Sequence, residues 1–139
     1  MFESQLELAR KLDKPVIVHS RKAEKEVVET LISSGCKKVV LHAFHGSMEL
    51  VKKAIDNGFY FSVPSNILRS EHFQKLVAVT EIKNLLTETD TPYLGPFEDK
   101  KSEPAYVEMT VKKIAEIKQI SSGEVARQLY QNYRRLFKH

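Results

Sequence analysis

The chain has 139 residues, 42% of them hydrophobic, with five glycines, five prolines and no low-complexity run, which excludes disordered and collagen-like classes and predicts one globular domain over residues 1–139. No run reaches the about 18 to 20 consecutive apolar residues of a membrane span, MFESQLELARK lacks the apolar core of a signal peptide, and the single cysteine, Cys36, excludes an intrachain disulfide or cysteine-based zinc cluster, so a cytoplasmic protein without a membrane partner is expected. The net charge of +4 agrees with polyanion binding without demanding it.

Leu6, Leu8, Ala9 and Leu12 form a rough helical apolar face that ends before Pro15. PVIVH (15–19) is short, β-branched and apolar at both parities, the pattern of a parallel strand covered on both faces. Val27, Val28, Leu31 and Ile32 then recur at helical spacing, with Gly35 as a left-handed stop. The unit repeats: KVVLH (38–42) is the second strand, and SMELVKKAIDNG is a helix with Ser47 as its N-cap and Gly58 past its end. FYFSV (59–63) is the third strand, a helix is expected around 71–79, and NLLTE (84–88) is the fourth strand. Two helices follow, from about 104 to 119 with proline in the first turn and from about 123 to 137 with Val125, Leu129, Tyr133 and Leu136 on one face.

Four strands alternating with helices at intervals of roughly 20 to 28 residues predict an α/β fold with a parallel sheet and right-handed crossovers. A doubly wound open sheet satisfies this pattern, and so does half of a (β/α)8 barrel, whose full length is about 250 residues.

Three of the four strands finish on metal-capable side chains: His19, His42, and the pair Glu88 and Asp90. In a parallel α/β protein the strand C-termini share one rim, where ligands bind, so residues distant in sequence converge there. Glu88 and Asp90 share strand parity and project to the same side, where a carboxylate takes a divalent cation beside imidazoles. Each residue also has a plainer reading. A lone histidine at a strand end is more often structural than ligating, and Glu88 reads better as the partner that holds a neighbouring histidine's tautomer than as a direct ligand. Arg21 and Lys22 open the helix after the first strand, where they would meet a phosphate, although solvated charges are commoner at helix starts. His45 lies near the rim, His72 and His139 read as surface residues, and EDKKSE (98–103) reads as a solvated loop. Tyr60, Tyr106, Tyr130 and Tyr133 sit at core-like spacing.

Taken in order, PVIVHSR, VLHAFHGS, YFSV and LLTETDTPYLGP resemble the TatD-type metal-dependent deoxyribonucleases, which are amidohydrolase-like (β/α)8 barrels. FESQLELARKLDKP and VARQLYQNYRRLF extend the resemblance over essentially the whole chain. It implies the C-terminal half of a TIM-type barrel, strands five to eight with their helices. It further implies hydrolysis of a DNA phosphodiester with divalent metal ions (Mg, Mn or Zn). By that pattern His19, His42 and Asp90 are metal ligands, and Asp90 also activates water. By the same pattern Glu88 supports the site from beside it; His45, near the rim, is expected as a further supporting residue on its position alone, and Arg21 as the basic rim residue that binds phosphate. The chain departs from the family where a His-Cys-Phe-Ser-Gly motif reads HAFHG, with Ala43 and His45, and where Ser102 stands in place of a common asparagine. The family's first-strand His-x-His pair and fourth-strand glutamate are not among these residues. The expected consequence is an incomplete metal site and an open sheet face. That face would be covered by self-association, by a complementary N-terminal half or by a sandwich-like collapse. The alternative is a non-catalytic α/β remnant that binds a partner or nucleic acid through the open face, and a third reading is hydrolysis of another bond, such as a cyclic amide, on the same scaffold.

Overall fold

Four short parallel strands, β1 (Val16–Val18), β2 (Val39–His42), β3 (Tyr60–Val63) and β4 (Leu85–Thr87), pair in chain order to form one sheet. They belong to a computed structural model that describes residues 1–137, so His139 lies outside the described residues. Helix α1 (Phe2–Lys11) precedes the sheet. Helices α2 (Glu24–Ser34), α3 (Met48–Asp56) and α4 (Glu71–Val79) make the successive crossovers, and α5 (Val107–Lys118) and α6 (Ser122–Phe137) follow β4. The expected parallel α/β architecture is therefore present.

Local chemistry explains the element ends. Gly35 closes α2 at φ 70°, a left-handed conformation that glycine adopts without steric cost. The Ser47 hydroxyl accepts the Leu50 amide to start α3, and Ser70 does the same for Phe73 in α4. The proline expected in the first turn of a long helix instead heads a separate 3-10 turn, Pro104–Tyr106, and α5 begins just after it. Among the described residues no helix is long and apolar enough to cross a membrane.

The two faces of the sheet differ. Val18, Leu41, Phe61 and Leu85 lie in register across all four strands and are buried. With Val28, Leu31, Val51, Phe73, Leu76, Ile114 and Val125 from the helices they form the main core. The opposite face carries Ile17, Val40 and Tyr60 in one row and His42, Ser62 and Leu86 in the next. It is only half-covered, because the end of α6 folds across it and Leu136 and Phe137 pack on Val40, Tyr60 and Leu86.

This asymmetry corrects several expectations. β1 is not covered on both faces: Ile17 is 62% exposed, since β1 is an edge strand and Ile17 sits on the half-covered face. Of the apolar residues of α1, Leu6 is buried, whereas Leu8 and Leu12 are exposed because they turn away from α2. Tyr130 and Tyr133 are also exposed rather than core residues, while Tyr60 is buried. On α6 the inward position is taken by Asn132. Its amide donates to the carbonyls of Ile82 (2.7 Å) and Leu85 (2.8 Å), and its own carbonyl accepts from Gln128. A fully buried asparagine thus ties the last helix to the start of β4. The 98–103 loop is not wholly solvated either: Ser102 is buried, donating its hydroxyl to Thr89 O (2.8 Å) and its amide to Pro92 O (2.9 Å).

Candidate functional site

Strand ends bring the candidate side chains to one rim. His42 is the last residue of β2, and His19 follows β1 directly. Beyond β4 the ladder continues for one more bond, Glu88 N–H to Val63 O at 3.0 Å, and this aims the Glu88 side chain at the half-covered face beside Ser62 and His42. Asp90 has φ 49°, a left-handed turn that aspartate tolerates, and the Tyr93 amide closes that turn on the Asp90 carbonyl at 2.7 Å. The Ser102 bonds to Thr89 and Pro92 brace the same segment.

The centre of the arrangement is His42. Its Nδ1 lies 2.5 Å from Glu88 Oε2, which also accepts the Ser62 hydroxyl. Glu88 offers only acceptors when ionised, so His42 donates to it through Nδ1, and Nε2 is the nitrogen that faces the mouth. That Nε2 is 3.6 Å from Asp90 Oδ1. The separation is too long for a hydrogen bond, yet two donors each about 2.0 to 2.2 Å from a shared ion can stand that far apart. The His19 ring centroid is 5.6 Å from that of His42, with the ring planes 43° apart. Burial pushes the Glu88 carboxyl above the ordinary carboxylate value; its bonds to Ser62 and His42 oppose the shift, and the Asp90 charge adds to it. Its second oxygen, Oε1, is buried with no hydrogen-bond partner among the described residues.

While Ser62 and Glu88 line the half-covered sheet face behind His42, His19, His42 and Asp90 line a cleft of about 760 Å³ together with Arg21, Lys22, Glu24, His45 and Tyr93. Arg21 and Lys22 are exposed at its mouth, and the Lys22 amide donates to Glu24 (3.1 Å). His45 stands apart from the His42 cluster. Its ring stacks on His72 at 5.6 Å and 14° and meets the Phe73 ring edge-on at 5.0 Å. His72 is not a plain surface residue: it is half-buried, and its Nε2 lies 2.8 Å from the Phe44 carbonyl. Burial lowers the His45 pKa, as do His72, Arg21 and His19, against an opposing pull from Glu24.

The donor set fits a divalent ion in kind but not in number. His19, His42 and Asp90 are nitrogen and oxygen donors at one mouth, with a carboxylate behind one imidazole, the usual surroundings of a metal-binding histidine. Among the described residues, however, no group of three or more His, Cys, Asp or Glu side chains converges closely enough to hold an ion. Sequence reasoning does not single out Ser62 or Tyr93. The signal for Ser62 was a polar residue inside FYFSV at the parity of Tyr60; Tyr93, beside a proline after an acidic pair, carried none.

Comparison with known proteins adds a second line of observation. A family model described as TatD related DNase matches residues 1–138. The chain is 38% identical over 133 residues to the human protein named Deoxyribonuclease TATDN3, an alignment covering 96% of this chain and 48% of that protein. It is 35% identical over 138 residues to the uncharacterized metal-dependent hydrolase MJ1582 of Methanocaldococcus jannaschii, covering 99% and 55% respectively. It also superposes on the crystal structure of YJJV, a TatD homolog from Escherichia coli, with a TM-score of 0.86 and 27% identity, over 97% of this chain and 54% of that one. The fold is thus that of four consecutive β/α units of a TatD-type, TIM-barrel-like hydrolase. The chain spans about half the length of the relatives it matches.

Proposed function

This chain belongs to the TatD-related DNase family, whose relatives include proteins named as metal-dependent hydrolases and deoxyribonucleases, and from that premise we propose that it forms one side of a metal-dependent phosphodiesterase site acting on DNA. The observation that carries the reading is the environment of His42, bonded through Nδ1 to Glu88 and facing Asp90 with Nε2 at a mouth lined by His19 and Arg21. In this reading His19, His42 and Asp90 hold a divalent ion (Mg, Mn or Zn) together with donors from outside these residues, and that ion supplies phosphate polarisation and a lowered pKa of bound water.

The chain's own residues have separate tasks. Glu88 keeps His42 in the Nδ1–H tautomer and so keeps Nε2 available at the mouth. Asp90, fixed by the turn that Tyr93 closes, orients the attacking water and accepts its proton. Arg21 presents a guanidinium whose planar fork matches the non-bridging oxygens of a phosphate. Among the described residues, the shortfall in donors, the outer edges of β1 and β4 that pair with no further strand, and the half-covered sheet face support one further step. Residues 1–139 act as one domain that completes a (β/α)8 barrel with a complementary N-terminal half or a second copy of itself. The single buried cysteine agrees with a cytoplasmic setting. The same shortfall favours a second reading, a non-catalytic remnant that binds nucleic acid or a partner through the open face.

The test is a nuclease assay on the chain alone and on the chain mixed with a segment carrying a His-x-His strand and the missing glutamate, each with Mg²⁺, Mn²⁺ or Zn²⁺. The first reading expects metal-dependent cleavage of DNA that falls about 10²- to 10⁴-fold on Asp90→Asn. Metal-free protein with salt-sensitive DNA binding and no cleavage in either mixture supports the remnant instead.

A further inference from the structure

We propose that His45 contacts the substrate phosphate alongside Arg21, and that His72 is the residue that positions it. The inference rests on the reading of this mouth as a phosphodiester site and adds a residue to it.

Geometry is the starting point. The His45 side chain is exposed and lines the same cleft as Arg21 and Lys22. One face of its ring lies on His72, nearly parallel at 14°, and the edge-on Phe73 ring packs against it at 5.0 Å. His72 is held in turn by its Nε2 bond to the Phe44 carbonyl and by its own edge-on contact with Phe73 at 5.3 Å. A polar ring that opens onto a cleft while two anchored rings fix its orientation is built to present hydrogen-bonding atoms to a ligand. Packing alone would be served as well by phenylalanine, without the need to solvate two ring nitrogens. His45 is also a position at which this chain departs from the family motif it otherwise resembles.

The charge environment suits an anion. Arg21 and His19 act on His45 from the segment after β1, Glu24 from the start of α2 and His72 from α4, and Lys22 lines the same mouth. Burial and the cationic or cation-capable neighbours favour the neutral ring; Glu24 alone opposes them. An arriving phosphate reverses that balance by adding negative charge next to the ring, so binding is accompanied by proton uptake at His45.

The experiment titrates inorganic phosphate into the purified chain and follows the histidine ring signals by NMR, with affinity measured in parallel by calorimetry. Two variants, His45→Phe and His45→Gln, separate packing from hydrogen bonding. Phosphate should move the His45 signals and raise their titration midpoint. Phe should weaken phosphate binding about tenfold and Gln by less, because a hydrogen bond to a charged group carries about a tenfold gain and Gln restores that bond without the charge of a protonated ring. Both variants should melt with the wild type. Wild-type affinity in the Phe variant, or equal losses in Phe and Gln, overturns the role of His45 and leaves the phosphodiester reading standing. A wild-type chain that takes no phosphate also overturns the role of His45, and the nuclease assay with the complementary segment then decides the phosphodiester reading.

Discussion

Replacing Glu88 with glutamine separates what this residue does for the site from what it costs the fold. Glu88 Oε2 accepts from His42 Nδ1 and from the Ser62 hydroxyl, while Oε1 is buried without a partner. A glutamine with its carbonyl oxygen in the Oε2 position keeps both bonds in neutral form, at a loss of about 1 kcal/mol for the charge-assisted component. Removing a buried carboxylate offsets that loss, and the raised Glu88 pKa shows that desolvation outweighs its partners. Glu88→Gln should therefore change stability by no more than about 1 kcal/mol near neutral pH. Glu88→Ala leaves the His42 N–H and the Ser62 hydroxyl without their acceptor and should cost about 2 to 4 kcal/mol. Metal affinity should fall about 10- to 100-fold in the Gln variant, as when a carboxylate behind a ligating imidazole is lost. The pH dependence has a definite sign. A carboxyl whose folded pKa lies above its unfolded value of 4.5 adds stability that is complete below 4.5 and is lost as pH rises through the folded value. Urea unfolding across that window, wild type against Gln, should show the wild type losing ground as pH rises, and competition titration with Zn²⁺ or Mn²⁺ reads the affinity. A wild type that gains on the Gln variant with rising pH, or a Gln variant with undiminished metal affinity, refutes the reasoning.

Asn132→Leu should destabilise the chain by about 2 to 4 kcal/mol in denaturant unfolding, because the carbonyls of Ile82 and Leu85 lose their buried donor; a loss below about 1 kcal/mol would show that water replaces it. Gly46→Ala places a methyl group against the Phe44 ring, which is itself buried, and should lower stability by about 1 to 3 kcal/mol in a thermal melt. The same variant should disturb the His72 ring signals, since His72 is bonded to the Phe44 carbonyl.

Much of the fold could be read from residue pattern. The fourth helix runs Glu71–Val79, the span expected for it, and every strand lies within its apolar run. Two of the misreadings share one physical cause, which is that apolarity alone does not tell which face of a sheet or helix is covered. Ile17 looks like any β-branched core residue, yet it sits on the edge strand and half-covered face, and Tyr133 looks like a core tyrosine although Asn132 holds the inward position. For the site, strand-end placement put His19, His42, Glu88 and Asp90 on one list, and in the structure they line or border one cleft. The pairing of His45 with His72 was not legible, because 27 residues separate them and neither belongs to a strand.

Strand order that follows chain order carries a kinetic consequence. Each strand pairs with its neighbour one crossover away, Val16 with Val39, Val40 with Tyr60 and Phe61 with Leu85, so no pairing in the sheet has to close a loop much longer than the others. The bond between His42 and Glu88, however, spans 46 residues and skips over β3, so it forms only after the fourth strand has docked. The environment of the His42 ring therefore reports on the docking of β4: with β1 to β3 in place and β4 detached, the ring would lack the carboxylate that fixes it.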